Sequence, residues 1–147
     1  MSMGQGRRVL ITGSAVGLGL ALAQGFASQG DEVFLTDVSP KVLAAAKGLS
    51  SSCGRPVGAL VLDLAAEAAA DQLVAAAQGA MGGIDILINN AVVRKMAPVA
   101  DLADADWDRA LEVNLSAPFR LIRAVLPGMQ ARGWGRIINM ASVYSLI

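Results

Sequence analysis

Histidine is missing from this 147-residue chain and cysteine occurs once, at Cys53. Without histidine there is no Ser-His-Asp hydrolase centre, no imidazole acid–base chemistry and no His-ligated metal. A lone cysteine forms no internal disulfide and no multi-cysteine zinc cluster, so no metal site is expected. Net charge is lacking as well, twelve basic residues against twelve acidic ones, which leaves no positive field to gather nucleic acid or anionic lipid. Although 54% of the residues are hydrophobic, no run approaches the roughly 18 apolar residues of a membrane span. The amino terminus leads into a short Val9–Ile11 run rather than a secretory core, and a cytoplasmic protein is expected.

What is present is an alternation of short β-rich runs with longer alanine-rich helical stretches. That pattern predicts an α/β fold, a doubly wound parallel sheet of the Rossmann type, as one domain over residues 1–147. Strands are expected near Arg8–Thr12, Glu32–Thr36, Val57–Leu62, Asp85–Asn89 and Arg136–Met140, all apolar enough to need cover on both faces. Helices are expected over Gly17–Ser28, Pro40–Gly48, Ala66–Met81 and Asp104–Arg132, with Gly30 and Gly133 as stops. Pro118 and Pro127 inside the last of these predict a kink or local break.

Polar residues collect where the strands end: Thr12-Gly13, Asp37, Asp63, Asn89-Asn90 and Ser142. One such residue means little, because turns need them; five at one rim suggest a shared crevice at the carboxyl edge of the sheet. The densest motif is Thr12-Gly13-Ser14-Ala15-Val16-Gly17-Leu18-Gly19, set between an apolar strand and an amphipathic helix. Gly13 would permit the tight turn, Gly17 would let backbone N–H groups approach a pyrophosphate, and Gly19 would allow close helix packing. The helix amino end adds partial positive charge. A glycine-rich turn used only for packing is the plainer reading.

Asp37, ending the second strand, is placed to accept both hydroxyls of an adenosine ribose and to repel a 2′-phosphate, and none of Ser14, Ala15, Val38 or Ser39 would neutralise that phosphate. NAD is therefore expected, with NADP the less suited cofactor. Asp37 could otherwise cap the helix that starts at Pro40. Asp63 is open to two readings, an acceptor for the adenine amino group or an ordinary turn residue. Asn114 is a poor mid-helix residue, and either has a local polar duty or is simply exposed.

Together these motifs resemble the classical short-chain dehydrogenase/reductase family over the whole chain. Thr12–Gly19 resembles its cofactor loop, Asp63 its adenine-contacting aspartate, and Asn89-Asn90-Ala91 the start of its Asn-Asn-Ala-Gly motif, with Val92 in place of the usual glycine. The stretch Trp107 to Asn114 is similar to its helix with a catalytic asparagine, and Gly135–Ser142 to the strand that delivers its catalytic serine. The resemblance implies strand order 3-2-1-4-5 and hydride transfer between nicotinamide and a secondary alcohol or ketone. It also implies cofactor contacts from Gly13, Ser14, Val16, Gly17, Leu18, Gly19, Asp37, Asp63, Leu64, Asn90 and Ala91, and catalytic roles for Ser142 and Asn114. The family's Tyr-x-x-x-Lys is not found here, since Tyr144 is the sole tyrosine and no lysine follows it. A truncated family member is therefore expected, one that lacks the later strands and helices, holds cofactor and turns over weakly or not at all. A non-catalytic dinucleotide-binding module and an inactive remnant are the competing readings. Expected partners are the alcohol or ketone and, through an uncovered helix face and strand edge, other copies of the chain.

Overall fold

Side-chain alternation along the central strands decides the architecture. In the computed structural model, which describes residues 6–142, strand β1 (Arg8–Thr12) sends Val9 and Ile11 to one face and Leu10 to the other. Strand β2 (Glu32–Asp37) divides Val33 and Leu35 from Phe34, and β4 (Ile86–Asn89) divides Ile86 and Ile88 from Leu87, in the same sense. With both faces apolar, helices must cover both. Helices α1 (Gly17–Ser28) and α2 (Lys41–Cys53) cover the first face through Ala23, Ala27, Val42, Ala46 and Leu49. The second face is covered by α3 (Ala69–Met81) and α5 (Ala117–Ala131) through Leu73, Val74, Ala77, Leu121 and Val125. Each such leucine or valine contributes about 1.5–3 kcal/mol on burial.

Strands β3 (Gly58–Val61) and β5 (Arg136–Asn139) complete a five-stranded parallel sheet in the order β3-β2-β1-β4-β5, as expected. The expectation that every strand is buried on both faces does not hold for these two. Among the described residues each is an outer strand with one hydrogen-bonding neighbour, and Val61, Ile138 and Met140 are exposed.

Three of the four expected helices differ in their bounds. Pro40 precedes α2 as its cap residue, and α2 runs past Gly48 until Gly54, at φ +67°, turns the chain away. Helix α3 begins at Ala69, because Asp63–Ala66 form a turn and Ala68 is left-handed at φ 57°. The stretch expected as one kinked helix comprises α4 (Asp104–Leu111), a π-helical turn over Glu112–Ser116, and α5. Pro118 would press its ring on the Asn114 carbonyl in an unbroken α-helix, and the wider π turn just ahead of it relieves that conflict. Pro127 lies inside α5 without ending it. Both predicted stops are in the left-handed region, Gly30 at φ +92° and Gly133 at φ +67°.

Candidate functional site

Because all strands are parallel, their carboxyl ends share one rim, and the loops leaving β1 and β4 are tied together there. The Thr12 hydroxyl accepts from the amides of Asn90 and Ala91, each at 3.0 Å. The Asn90 side-chain amide donates back to the Thr12 and Gly13 carbonyls at 3.0 and 2.9 Å. Ser14 ties β1 to β2: its backbone N–H donates to the Thr36 carbonyl at 3.1 Å, and its hydroxyl donates to Ile11 O and accepts from Thr36 N. Fully buried among the strands, the Ser14 side chain holds the loop from beneath and does not line the cleft.

The glycines divide their duties. Gly13 has φ +63°, and a Cβ there would lie 2.7 Å from Ala91 Cα. At Gly19 a Cβ would collide with the Gly13 carbonyl and come within 2.7 Å of Asn90 Nδ2, so the close packing that this glycine permits is against the loop. Gly17, at φ +59°, has nothing within 4 Å of that position. It opens the first turn of α1, where no side chain caps the free N–H groups and no acidic residue opposes an anion. Exposed glycine at an uncapped helix amino end fits a phosphate group, since the N–H donors and the helix dipole both favour negative charge.

Beside this turn lies a cavity of 340 Å³, lined by Gly13, Val16, Leu18, Gly19, Asp37, Asp63, Leu64, Asn90, Ala91 and Val92, among others. The Asp37 carboxylate accepts from Ala15 N at 3.0 Å through one oxygen and from Ser39 N at 2.9 Å through the other. It caps the turn ahead of Pro40 and supports the glycine loop, and each oxygen keeps acceptor capacity toward the cavity. Asp63 accepts from Ala65 N at 3.0 Å and from Arg109 Nη1 at 2.8 Å. The Arg109 hydrogen bond holds the Asp63 carboxyl below its ordinary value, with burial working against it and the Ala65 amide adding to it. Turn former and cavity wall are thus both true of Asp63. Arg109, absent from the sequence reading, also lines the cavity. Its one legible signal is its place four residues before buried Val113, on the same helix face.

A second cavity, of 910 Å³, shares Leu18, Asn90, Ala91 and Val92 with the first and adds Asn114, Asn139 and Ser142. The two therefore form one continuous cleft across the rim, with Asn114 and Ser142 at the end away from Asp37. Asn114 lies in the π turn, and its amide bonds both backbone groups of Val93, accepting from N at 2.8 Å and donating to O at 2.8 Å. This pair of bonds gives Asn114 the local duty expected of it and anchors the loop after β4. Val92 exposes 71% of its surface at the junction of the two cavities. Its backbone is not left-handed, so this loop does not need glycine's conformational freedom at that position. Tyr144 lies outside the described residues.

This rim can be compared with known proteins. The family model described as short chain dehydrogenase matches residues 7–147. The chain belongs to the short-chain dehydrogenase family. Its sheet order and flanking helices are those of the family's Rossmann-type fold. Among curated relatives, it is 35% identical over 142 residues to a D-beta-hydroxybutyrate dehydrogenase from Cupriavidus necator, covering 97% of this chain and 55% of that one. It is 40% identical over 134 residues to a galactitol 2-dehydrogenase from Agrobacterium fabrum, covering 90% and 51%. Among solved structures, an L-sorbose reductase from Gluconobacter frateurii complexed with NADPH and L-sorbose matches with a TM-score of 0.90 and 36% identity, over 97% of this chain and 54% of that one. This short-chain dehydrogenase sequence thus spans about half the length of the curated relatives it matches. No helix among the described residues is long and apolar enough to cross a membrane.

Proposed function

We propose that this chain forms the cofactor-holding part of an NAD-dependent oxidoreductase that moves hydride between nicotinamide and a secondary alcohol or ketone. The observation that carries the reading is the shared position of two features on one cleft: the open, uncapped glycine turn at the start of α1 and the Asp37 carboxylate. The first suits a diphosphate and the second a ribose diol. Gly13, Val16, Gly17, Leu18 and Gly19 would flank the diphosphate, with buried Ser14 supporting them. Asp37 would hold the adenosine ribose, Asp63 and Leu64 the adenine, and Asn90 and Ala91 the middle of the cofactor. When bound, NAD supplies the hydride-accepting carbon of its nicotinamide ring.

NAD rather than NADP follows from charge. A 2′-phosphate would approach a carboxylate already fixed by two amides, and none of the flanking Ser14, Ala15, Val38 or Ser39 is cationic. Arg109 is committed to Asp63. In the wider cavity Ser142 would hydrogen-bond the substrate oxygen, while Asn114 fixes the wall beside it. Unpaired Cys53 suits a reducing compartment such as the cytoplasm. The cavity beside the glycine turn would serve a non-catalytic dinucleotide-binding module equally, which is the second reading, and robust ketone-dependent oxidation of NADH would exclude it.

Titration with NADH and NADPH, followed by nicotinamide fluorescence, tests cofactor choice. NADH should bind more tightly by about tenfold or more, the size of one unfavourable charge contact. Asp37→Ala should narrow the gap mainly by admitting NADPH. Tighter binding of NADPH by the unaltered chain would overturn the reading.

A further inference from the structure

Asp63 and Arg109 stand 46 positions apart in sequence, yet meet at 2.8 Å on the wall of the 340 Å³ cavity, one from the end of β3 and one from α4. We propose that Arg109 sets the selectivity of this cleft for adenine, as a positioning residue that acts through Asp63. The inference rests on the dinucleotide reading given above.

Both Asp63 oxygens are engaged, one by the Ala65 amide and the other by Arg109, so the plane of the carboxylate is fixed. Each oxygen of an ionised carboxylate accepts two hydrogen bonds, and one site on each is left over. What the cavity meets is therefore an oriented acceptor that offers no donor. Val38, Leu62, Leu64 and Val113 add apolar lining to the same cavity, so a flat base can rest there with its polar edge toward the carboxylate. The ion pair does little for folding, since both side chains are 39% exposed and pairs this open contribute little. Its position matters more than its strength.

A fixed acceptor discriminates between purines at one atom. Adenine carries an amino group at C6, which donates, whereas hypoxanthine carries a carbonyl there, which would face the carboxylate acceptor to acceptor. Arg109 keeps Asp63 aimed, so its loss should be felt by the adenine dinucleotide and hardly at all by the hypoxanthine one. A purely structural role would weaken both alike.

The test uses the full chain, with NADH and reduced nicotinamide hypoxanthine dinucleotide as the two probes and thermal melting as the check on folding. The unaltered chain should favour NADH by about tenfold, the scale of one hydrogen bond to a charged acceptor. In Arg109→Ala the preference should shrink to about two- to threefold through weaker NADH binding. Arg109→Lys should restore most of it. Should Arg109→Ala fail to fold, Arg109→Gln, which keeps a neutral donor on a shorter side chain, should show an intermediate preference. An undiminished preference in the variants, an equal loss for both probes, or tighter NADH binding because Arg109 competes for the same oxygen would each overturn the inference and leave the cofactor reading standing. If the unaltered chain binds neither probe, the cofactor reading itself fails.

Discussion

Gly17 and Gly19 are two residues apart and look interchangeable in a motif, but their surroundings assign them different energies. An added Cβ at Gly19 meets the Gly13 carbonyl and the Asn90 amide, neither of which can move without disturbing the β1–β4 ties. Gly19→Ala is expected to destabilise the fold by about 1–3 kcal/mol, the usual cost of overpacking, and to lower NADH affinity as a secondary effect. Gly17 has only its left-handed backbone to protect, worth about 1–2 kcal/mol to an L-residue, while nothing lies within 4 Å of a Cβ there, which leaves room for the proposed diphosphate. Gly17→Ala should therefore reduce NADH affinity by more than its modest loss of thermal stability would suggest. Melting curves paired with NADH titrations on both variants check this, and equal ratios of the two effects would show that Gly17 has no role beyond the turn.

Among the elements, the end of the sheet opposite the cleft is held by charge. Asp85, just ahead of β4, accepts from the Arg8 backbone and guanidinium at 2.6–3.1 Å and lies 3.3 Å from Arg132 at the end of α5. The hydrogen bond from Arg8 chiefly holds the Asp85 carboxyl below its ordinary value, against the opposing effect of burial. With the folded value depressed, the stabilisation is fully present above the unfolded value, about 3.9, and is lost as pH falls through the folded one. Asp85→Asn should cost about 2–3 kcal/mol near neutrality, and its penalty should diminish as pH falls below about 4. Urea melts at pH 7 and pH 3 measure both, and a penalty that does not change between them would contradict the assignment. The elements themselves were largely legible because their signals are local. Apolar runs and turn glycines placed β1 and α1 at their observed bounds, Arg8–Thr12 and Gly17–Ser28. Propensity misled at Gly48, where the cost of a mid-helix glycine, about 1 kcal/mol, is offset by burial of Leu49 immediately after it. Asp85 with its two arginines, and Asp63 with Arg109, depend on which strand ends and helices the fold brings together, and no window of sequence contains that.

At the scale of the whole molecule, the cleft was foreseeable from the rim rule for parallel sheets, and the residues that form the solvent-facing apolar surfaces are now placed. Apolarity alone could not tell that β3 and β5 would be the outer strands; the strand order implied by the family resemblance did. The helical stretch from Asp104 to Ala131 leaves Trp107, Leu111, Leu115, Phe119 and Leu126 exposed. The first four recur every four residues, the spacing of a stripe along one side of a helix. Beside this stripe, β5 has a single hydrogen-bonding neighbour and presents Ile138 to solvent. An apolar stripe and an open strand edge both lower their free energy by meeting another copy of the same surface. The 147-residue polypeptide is accordingly expected to self-associate at micromolar concentration. Light scattering coupled to size exclusion measures it, and Leu115→Glu with Phe119→Glu should shift the population toward monomer, because each charge would lose its hydration inside the contact. Neither residue lies in the buried clusters, so the pair should leave the cooperativity of unfolding intact. A monodisperse monomer from the unaltered chain would show that the stripe is tolerated in water and that association has no part in holding this chain together.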